Sequence, residues 1–170
     1  NRLTLLDRLR QTLAVSKRTG CQGALMFVDL DEFKAMNDTY GHEAGDLLLI
    51  EVAHRLKACV REMDTVARFA GDEFVVMLSA LDSGSAQSTS QARIVAEKIR
   101  LSLSQPYRLS IRDEGTATRA IEHRCTVSVG VALFTGHEGD ADDILQRADA
   151  AMYDAKEAGR NLIRFHDRLA

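Results

Sequence analysis

Cysteine is scarce in this chain, and what there is does not pair. Cys21, Cys59 and Cys125 are an odd number in 170 residues, far apart, with no C-x-x-C and no histidine spacing suited to zinc. That excludes a disulfide framework and leaves neutral thiols in a reducing compartment, so a cytoplasmic location is expected. Long hydrophobic runs are missing too. Nothing approaches the ~20 apolar residues of a membrane span, and no signal peptide is visible, so no membrane contact is expected of this segment. An excess of positive charge is also lacking. The net charge is −3 and the pI about 6.0, which excludes a bulk basic field for nucleic acid but not a local cluster that holds a small anion.

What is present is ordinary for a globular protein: 45% hydrophobic and 28% charged residues, in a length that suits one domain with its own core. The chain opens on Asn1-Arg2 without methionine, and a piece of a longer protein is expected. Leu3, Leu6, Leu9 and Leu13 are spaced for an amphipathic helix over 3–17. GALMFVDL, 23–30, reads as a buried strand that stops at acidic residues. The polar, turn-rich DEFKAMNDTYGHEAGD follows, and 46–62 has a helical apolar face. TVARF (65–69) and FVVMLSA (74–80) read as strands joined by a turn. LDSGSAQSTSQ reads as a loop, 92–105 as a helix ended by the single proline, Pro106, and about 107–134 as two β runs around a long hairpin. A helix over 141–160 enters through acids that suit its dipole, and NLIRFH is a last short strand. The order implies one α/β domain over 1–170: a mixed sheet with helices packed on it.

Chemistry concentrates in three places. Asp29 ends its strand, where α/β sheets tend to bind ligands, although a helix cap is the plainer reading. Asp72 and Glu73 sit in the turn of RFAGDEF, where a solvated hairpin would also explain them. If the strand of Asp29 lies beside the hairpin, the three carboxylates meet at one sheet edge and need a cation to offset them; carboxylate-held metal pairs are a common device for in-line displacement at phosphorus. Lys34 lies near a helix start, and Lys156 and Arg160 are spaced i, i+4, which fits either a triphosphate or a solvated helix face. Asn37, His42 and Asp46 form a third group. A carboxylate and an amide together match the hydrogen-bonding edge of guanine, and turn or capping residues would match the same pattern.

Taken in order, FVDLDEFKAMNDTYGHEAGD, RFAGDEF and AMYDAKEAGRN closely resemble the GGDEF family of diguanylate cyclases, over nearly the whole chain. The resemblance implies a fold like the palm of adenylyl cyclases and polymerases, and condensation of two GTP into cyclic di-GMP with release of two pyrophosphates. It implies two Mg²⁺ per active site, with Mn²⁺ as a substitute, held by Asp29, the Leu30 carbonyl, Asp72 and Glu73. Asn37, Asp46 and His42 then resemble the substrate's guanine contacts, Ala70 and Gly71 its turn contacts, and Lys34, Lys156 and Arg160 its triphosphate ligands. Lys34 is placed to stabilise charge in the transition state, and Asp72 stands nearest the nucleophile. Two domains face to face are expected, each supplying half a site. REMD, 61–64, resembles the family's RxxD inhibitory site for cyclic di-GMP, through Arg61 and Asp64.

The sequence departs from the family at Ala70, where the pattern has glycine. A left-handed φ there would cost about 1–2 kcal/mol, an extended one little. The retained acids, lysines and guanine contacts favour an active cyclase. Two alternatives remain: a weakly catalytic GTP- or cyclic di-GMP-binding module regulating an attached sensor or EAL phosphodiesterase domain, and another nucleotidyltransferase on the same palm.

Overall fold

The computed structural model describes residues 2–112, 117–137 and 139–166. Its centre is β1 (Gln22–Leu30), buried along its whole length. The run QGALMFVDL has no polar face because helices cover both sides of the sheet. β1 lies between β3 (Glu73–Leu81) and β6 (Val127–Phe134), antiparallel to both. β2 (Thr65–Ala70) flanks β3 antiparallel, and β7 (Ile163–Phe165) adds to β6 in parallel, giving the order β2-β3-β1-β6-β7. The sheet is therefore mixed and mostly antiparallel.

Alternation along β1 feeds two cores. Ala24, Met26, Val28 and Leu30 face α3 (His42–Cys59), α4 (Ser85–Leu103) and the hairpin β4 (Tyr107–Arg112)–β5 (Thr118–His123). Leu25 and Phe27 face α1 (Arg2–Thr19) and α5 (Ala141–Glu157), packing with Leu5, Leu9, Ile144 and Met152. At Gly130 of β6 a Cβ would run into backbone atoms of Ala148 and Met152, so only glycine lets α5 lie this close to the sheet. Asp140 and Asp143 form a reciprocal capping box that starts α5.

Four expectations need correction. The stretch after β1, read as polar and turn-rich with a helix start near Lys34, holds a short helix, α2 (Phe33–Tyr40), that begins there and is anchored by buried Met36. α3 starts at His42 rather than 46, because Gly45 is buried against the side chain of Asn37 where a Cβ would collide. α4 starts at Ser85 rather than 92: Ser88 is buried and donates to Gln22 Oε1 at 3.0 Å, so a serine-rich segment that reads as loop has a partner for its hydroxyl. The region 107–134 holds three strands, not two. β4 and β5 form a separate two-stranded sheet, and only β6 joins the main one. The connecting residues 113–116 lie outside the described residues.

Candidate active site

The end of β1 gathers the predicted acids in the middle of the sheet, not at its edge. Asp29 stands in register with Glu73 on one side and Ser128 on the other. The β2–β3 turn docks onto the same point, with Leu30 N donating to Asp72 O at 3.3 Å. Asp29 Oδ1 is buried and accepts no hydrogen bond. Burial and the charge of Asp72 push the Asp29 carboxyl up to about 7, against the opposing pull of Lys156. Glu73 is also raised, by burial and by the charges of Asp149 and Asp72. Carboxylates that repel each other around an unsatisfied oxygen form an all-oxygen donor set that fits a hard divalent cation. Among the described residues, no three acidic, histidine or cysteine side chains are already set to hold one.

Ala70 lies within β2, opposite Glu73, and is not among the residues with positive φ. The left-handed position of the turn is Gly71, at φ +45°, with open space around a notional Cβ. Alanine therefore stands where the chain is extended, and the glycine that the turn requires is present.

The cations approach from the end of α5. Lys156 Nζ lies 3.5 Å from Asp29 Oδ1 and 3.5 Å from Asp31 Oδ1. Arg160 falls beyond the end of α5, so the predicted helix to 160 is too long. It adopts φ +65° and reaches Glu32 at 3.7 Å. Lys34 is exposed in the first turn of α2. Asn37, His42 and Asp46 lie across the α2–α3 step, His42 and Asp46 exposed, with Asn37 Oδ1 buried and unpartnered.

Asp31 escaped the sequence reading. It is 3% exposed and accepts from Thr126 Oγ1 (2.6 Å), Ser128 Oγ (2.7 Å) and the Asn161 backbone N (3.1 Å). The available signals were the D-x-D spacing, which puts residues 29 and 31 on one face of a strand, and a serine inside the apolar run VSVGVALF.

Arg61 and Asp64 meet at the opposite end of β3. Arg61 Nη2 is 3.1 Å from Asp64 Oδ1 and also donates to Ser79 O, while Ser79 N donates back to Asp64 at 3.2 Å. Both residues line a cavity of about 530 Å³ with Arg8 and Lys57.

A family profile described as "Diguanylate cyclase, GGDEF domain" matches residues 1–162. The chain is a GGDEF domain. It is 44% identical over 95% of its length to the bifunctional diguanylate cyclase/cyclic di-GMP phosphodiesterase MucR of Pseudomonas aeruginosa, of which it spans 21%. It is 41% identical over 82% of its length to diguanylate cyclase A of Treponema denticola, of which it spans 34%. The crystal structure of the GGDEF domain of TpbB (YfiN) from Pseudomonas aeruginosa superposes with a TM-score of 0.84 at 35% identity, covering 98% of this chain and 96% of that one. This GGDEF domain thus spans a fifth to a third of the curated relatives it matches. Diguanylate cyclases of the family generally need a divalent metal ion, which agrees with the oxygen donors around Asp29. No helix among the described residues is long and apolar enough to cross a membrane.

Proposed function

We propose that this GGDEF domain is a diguanylate cyclase that condenses two GTP into cyclic di-GMP, with two copies face to face and one GTP on each. The observation that carries the reading is the buried Asp29 Oδ1, which accepts no hydrogen bond and has Lys156 Nζ at 3.5 Å, beside the docked Asp72-Glu73 turn, in a chain matched to the family almost throughout. In each half-reaction a 3′-hydroxyl oxygen forms a bond to the α-phosphorus of the other GTP and gives up its proton to solvent, the bond from that phosphorus to the bridging oxygen breaks, and pyrophosphate leaves. Asp29, the Leu30 carbonyl, Asp72 and Glu73 would hold two Mg²⁺, with Mn²⁺ as a substitute. Bound there, the ions would lower the pKa of the attacking hydroxyl and neutralise the leaving charge.

The chain's own residues position the rest. Lys34, Lys156 and Arg160 take the triphosphate, with Lys34 facing charge that develops during transfer. Asn37 and Asp46 take the guanine edge, and His42 adds a substrate contact. Asn37 Oδ1, buried without a donor, is suited to an incoming N–H. The Ala70-Gly71 backbone closes over the nucleotide, and Asp72 orients the hydroxyl. Arg61 and Asp64 bind the product away from this site and inhibit.

The test is a chain dimerised through a fused leucine zipper, incubated with GTP and Mg²⁺, with products separated by chromatography. Cyclic di-GMP is expected, Asp72→Asn is expected to lose it, and ATP is expected to compete poorly. No cyclic di-GMP from the dimer would overturn the reading. MucR combines both activities in its name, and that favours a second reading, a domain attached to sensor or EAL phosphodiesterase units and regulating them. An attached output that survives Asp72→Asn in the full-length protein would select it.

A further inference from the structure

Asp29 and the cations Lys156 and Arg160 come from chain segments about 130 residues apart, and one buried group ties them together. Asp31 follows Asp29 by two residues at the end of β1. Its two oxygens take hydroxyls from Thr126 and Ser128 on the β6 side, the backbone N–H of Asn161 beyond α5, and Lys156 Nζ from α5 itself. Its own N–H donates to Thr126 O at 2.9 Å. Asp31 thus joins the ends of β1, β6 and α5 while staying 3% exposed.

The backbone around this carboxylate is held in uncommon conformations. Glu32, directly after Asp31, sits at φ +62°, and Arg160 and Asn161 at +65° and +52°. A glutamate and an arginine rarely adopt that region, and they keep it only where the surroundings over-determine it. The two pair with each other at 3.7 Å, and Asn161 is fixed twice, by its N–H on Asp31 and by Arg100 on its Oδ1. The segment that presents Arg160 is thus bent into place against Asp31, and Lys156 is divided between Asp31 and Asp29 at equal distance.

From this geometry we infer that Asp31 is a positioning residue: it sets Lys156 and the Arg160 turn at the height where they meet the triphosphate, and keeps Lys156 from closing fully onto Asp29. The inference rests on the proposed GTP site. Asp31 is 3% exposed, with its oxygens taken by protein partners, and acts through Lys156 and the Asn161 backbone.

A double-mutant cycle tests it, read as affinity for α,β-methylene-GTP with Mg²⁺, alongside the melting temperature of each variant. Asp31→Asn keeps the size and loses the charge, and is expected to weaken binding about 10-fold, a typical coupling for a buried charged hydrogen bond. Lys156→Met is expected to weaken it at least as much. If Asp31 acts through Lys156 and the Arg160 turn, adding Asp31→Asn to a Lys156→Met/Arg160→Met variant costs no more than about twofold, whereas an independent site would lose its full factor. Thr126→Val removes one hydroxyl and is expected to lose about threefold, which keeps the test open if Asp31→Asn does not fold. A full further loss on adding Asp31→Asn to the variant that already lacks both cations, or unchanged affinity in folded Asp31→Asn and Thr126→Val, would overturn the inference. A wild-type chain that binds no analogue would instead overturn the GTP site itself.

Discussion

Asp29 faces Glu73 directly across β1 and β3, and its buried Oδ1 accepts no hydrogen bond. Such a pair is a store of unfavourable charge that a metal ion or a proton relieves. Burial and the charge of Asp72 raise the Asp29 carboxyl to about 7, above the usual value near 3.9 of an unfolded chain. The folded chain therefore binds the proton more tightly, and the contribution of Asp29 to stability falls as pH rises from about 4 through 7. Asp29→Asn mimics the protonated form at every pH. Without metal, the variant and wild type should melt together near pH 3, below both values, and near pH 8 the variant should melt several degrees higher. Millimolar Mg²⁺ should stabilise the wild type at pH 8 and leave the variant unmoved. A melting difference that does not change with pH would show that Asp29 is not held in this state.

The turn predicts an asymmetry between neighbours. Ala70 is extended in β2, so Ala70→Gly restores the family pattern without relieving strain. It should leave the cyclisation rate within about twofold and cost about 0.5–1 kcal/mol through the added freedom of the unfolded chain. Gly71, at φ +45° with open space around it, should cost about 1–2 kcal/mol on change to alanine, from backbone strain alone. Paired denaturant titrations check both, and a rate gain above fivefold in Ala70→Gly would contradict the extended assignment.

Gly130 makes a sharper demand, because the obstacle to its substitution is the backbone of α5. Gly130→Ala should push α5 away from β6 and carry Lys156 with it. The expected loss is about 2–4 kcal/mol, in the range of overpacked core positions, with GTP affinity falling as well. Stability within 0.5 kcal/mol of wild type would mean that the helix yields freely.

The acids and the strand that carries them were legible because β1 is an uninterrupted apolar run with a hydrophilic stop, and because the hairpin signal around Gly71 is local. That Asp29 and Glu73 share a register was only conditional, since strand order is a long-range property. The misses share a cause. α2 and the first turns of α3 and α4 are rich in Asn, Asp, Gly and Ser, which favour loops when isolated. They become helical here because Met36, Gly45 and Ser88 each find a buried partner or a close neighbour. Asp31 was invisible for the same reason: its partners Thr126, Ser128 and Asn161 are remote in sequence.

Truncation at Arg61 separates inhibition from catalysis. Arg61 and Asp64 clasp Ser79 near the end of β3, whereas Glu73 begins that strand, about 20 Å away at the usual rise per residue. Truncation at Arg61 should therefore leave the initial rate of cyclic di-GMP formation within about twofold, since nothing at the carboxylate site touches it. The same change removes the guanidinium that a product phosphate would bind, so the cyclic di-GMP concentration for half-inhibition should rise about 10-fold or more. Because the Asp64 side chain is 2% exposed, Arg61→Ala also leaves a nearly buried carboxylate with one partner fewer, and a stability loss of about 1–3 kcal/mol is expected. Initial rates at several added concentrations of product, below the lowered melting temperature, check all of this. Inhibition that persists unchanged in Arg61→Ala would move the product site elsewhere and leave the Arg61–Asp64 pair as a structural clasp on β3.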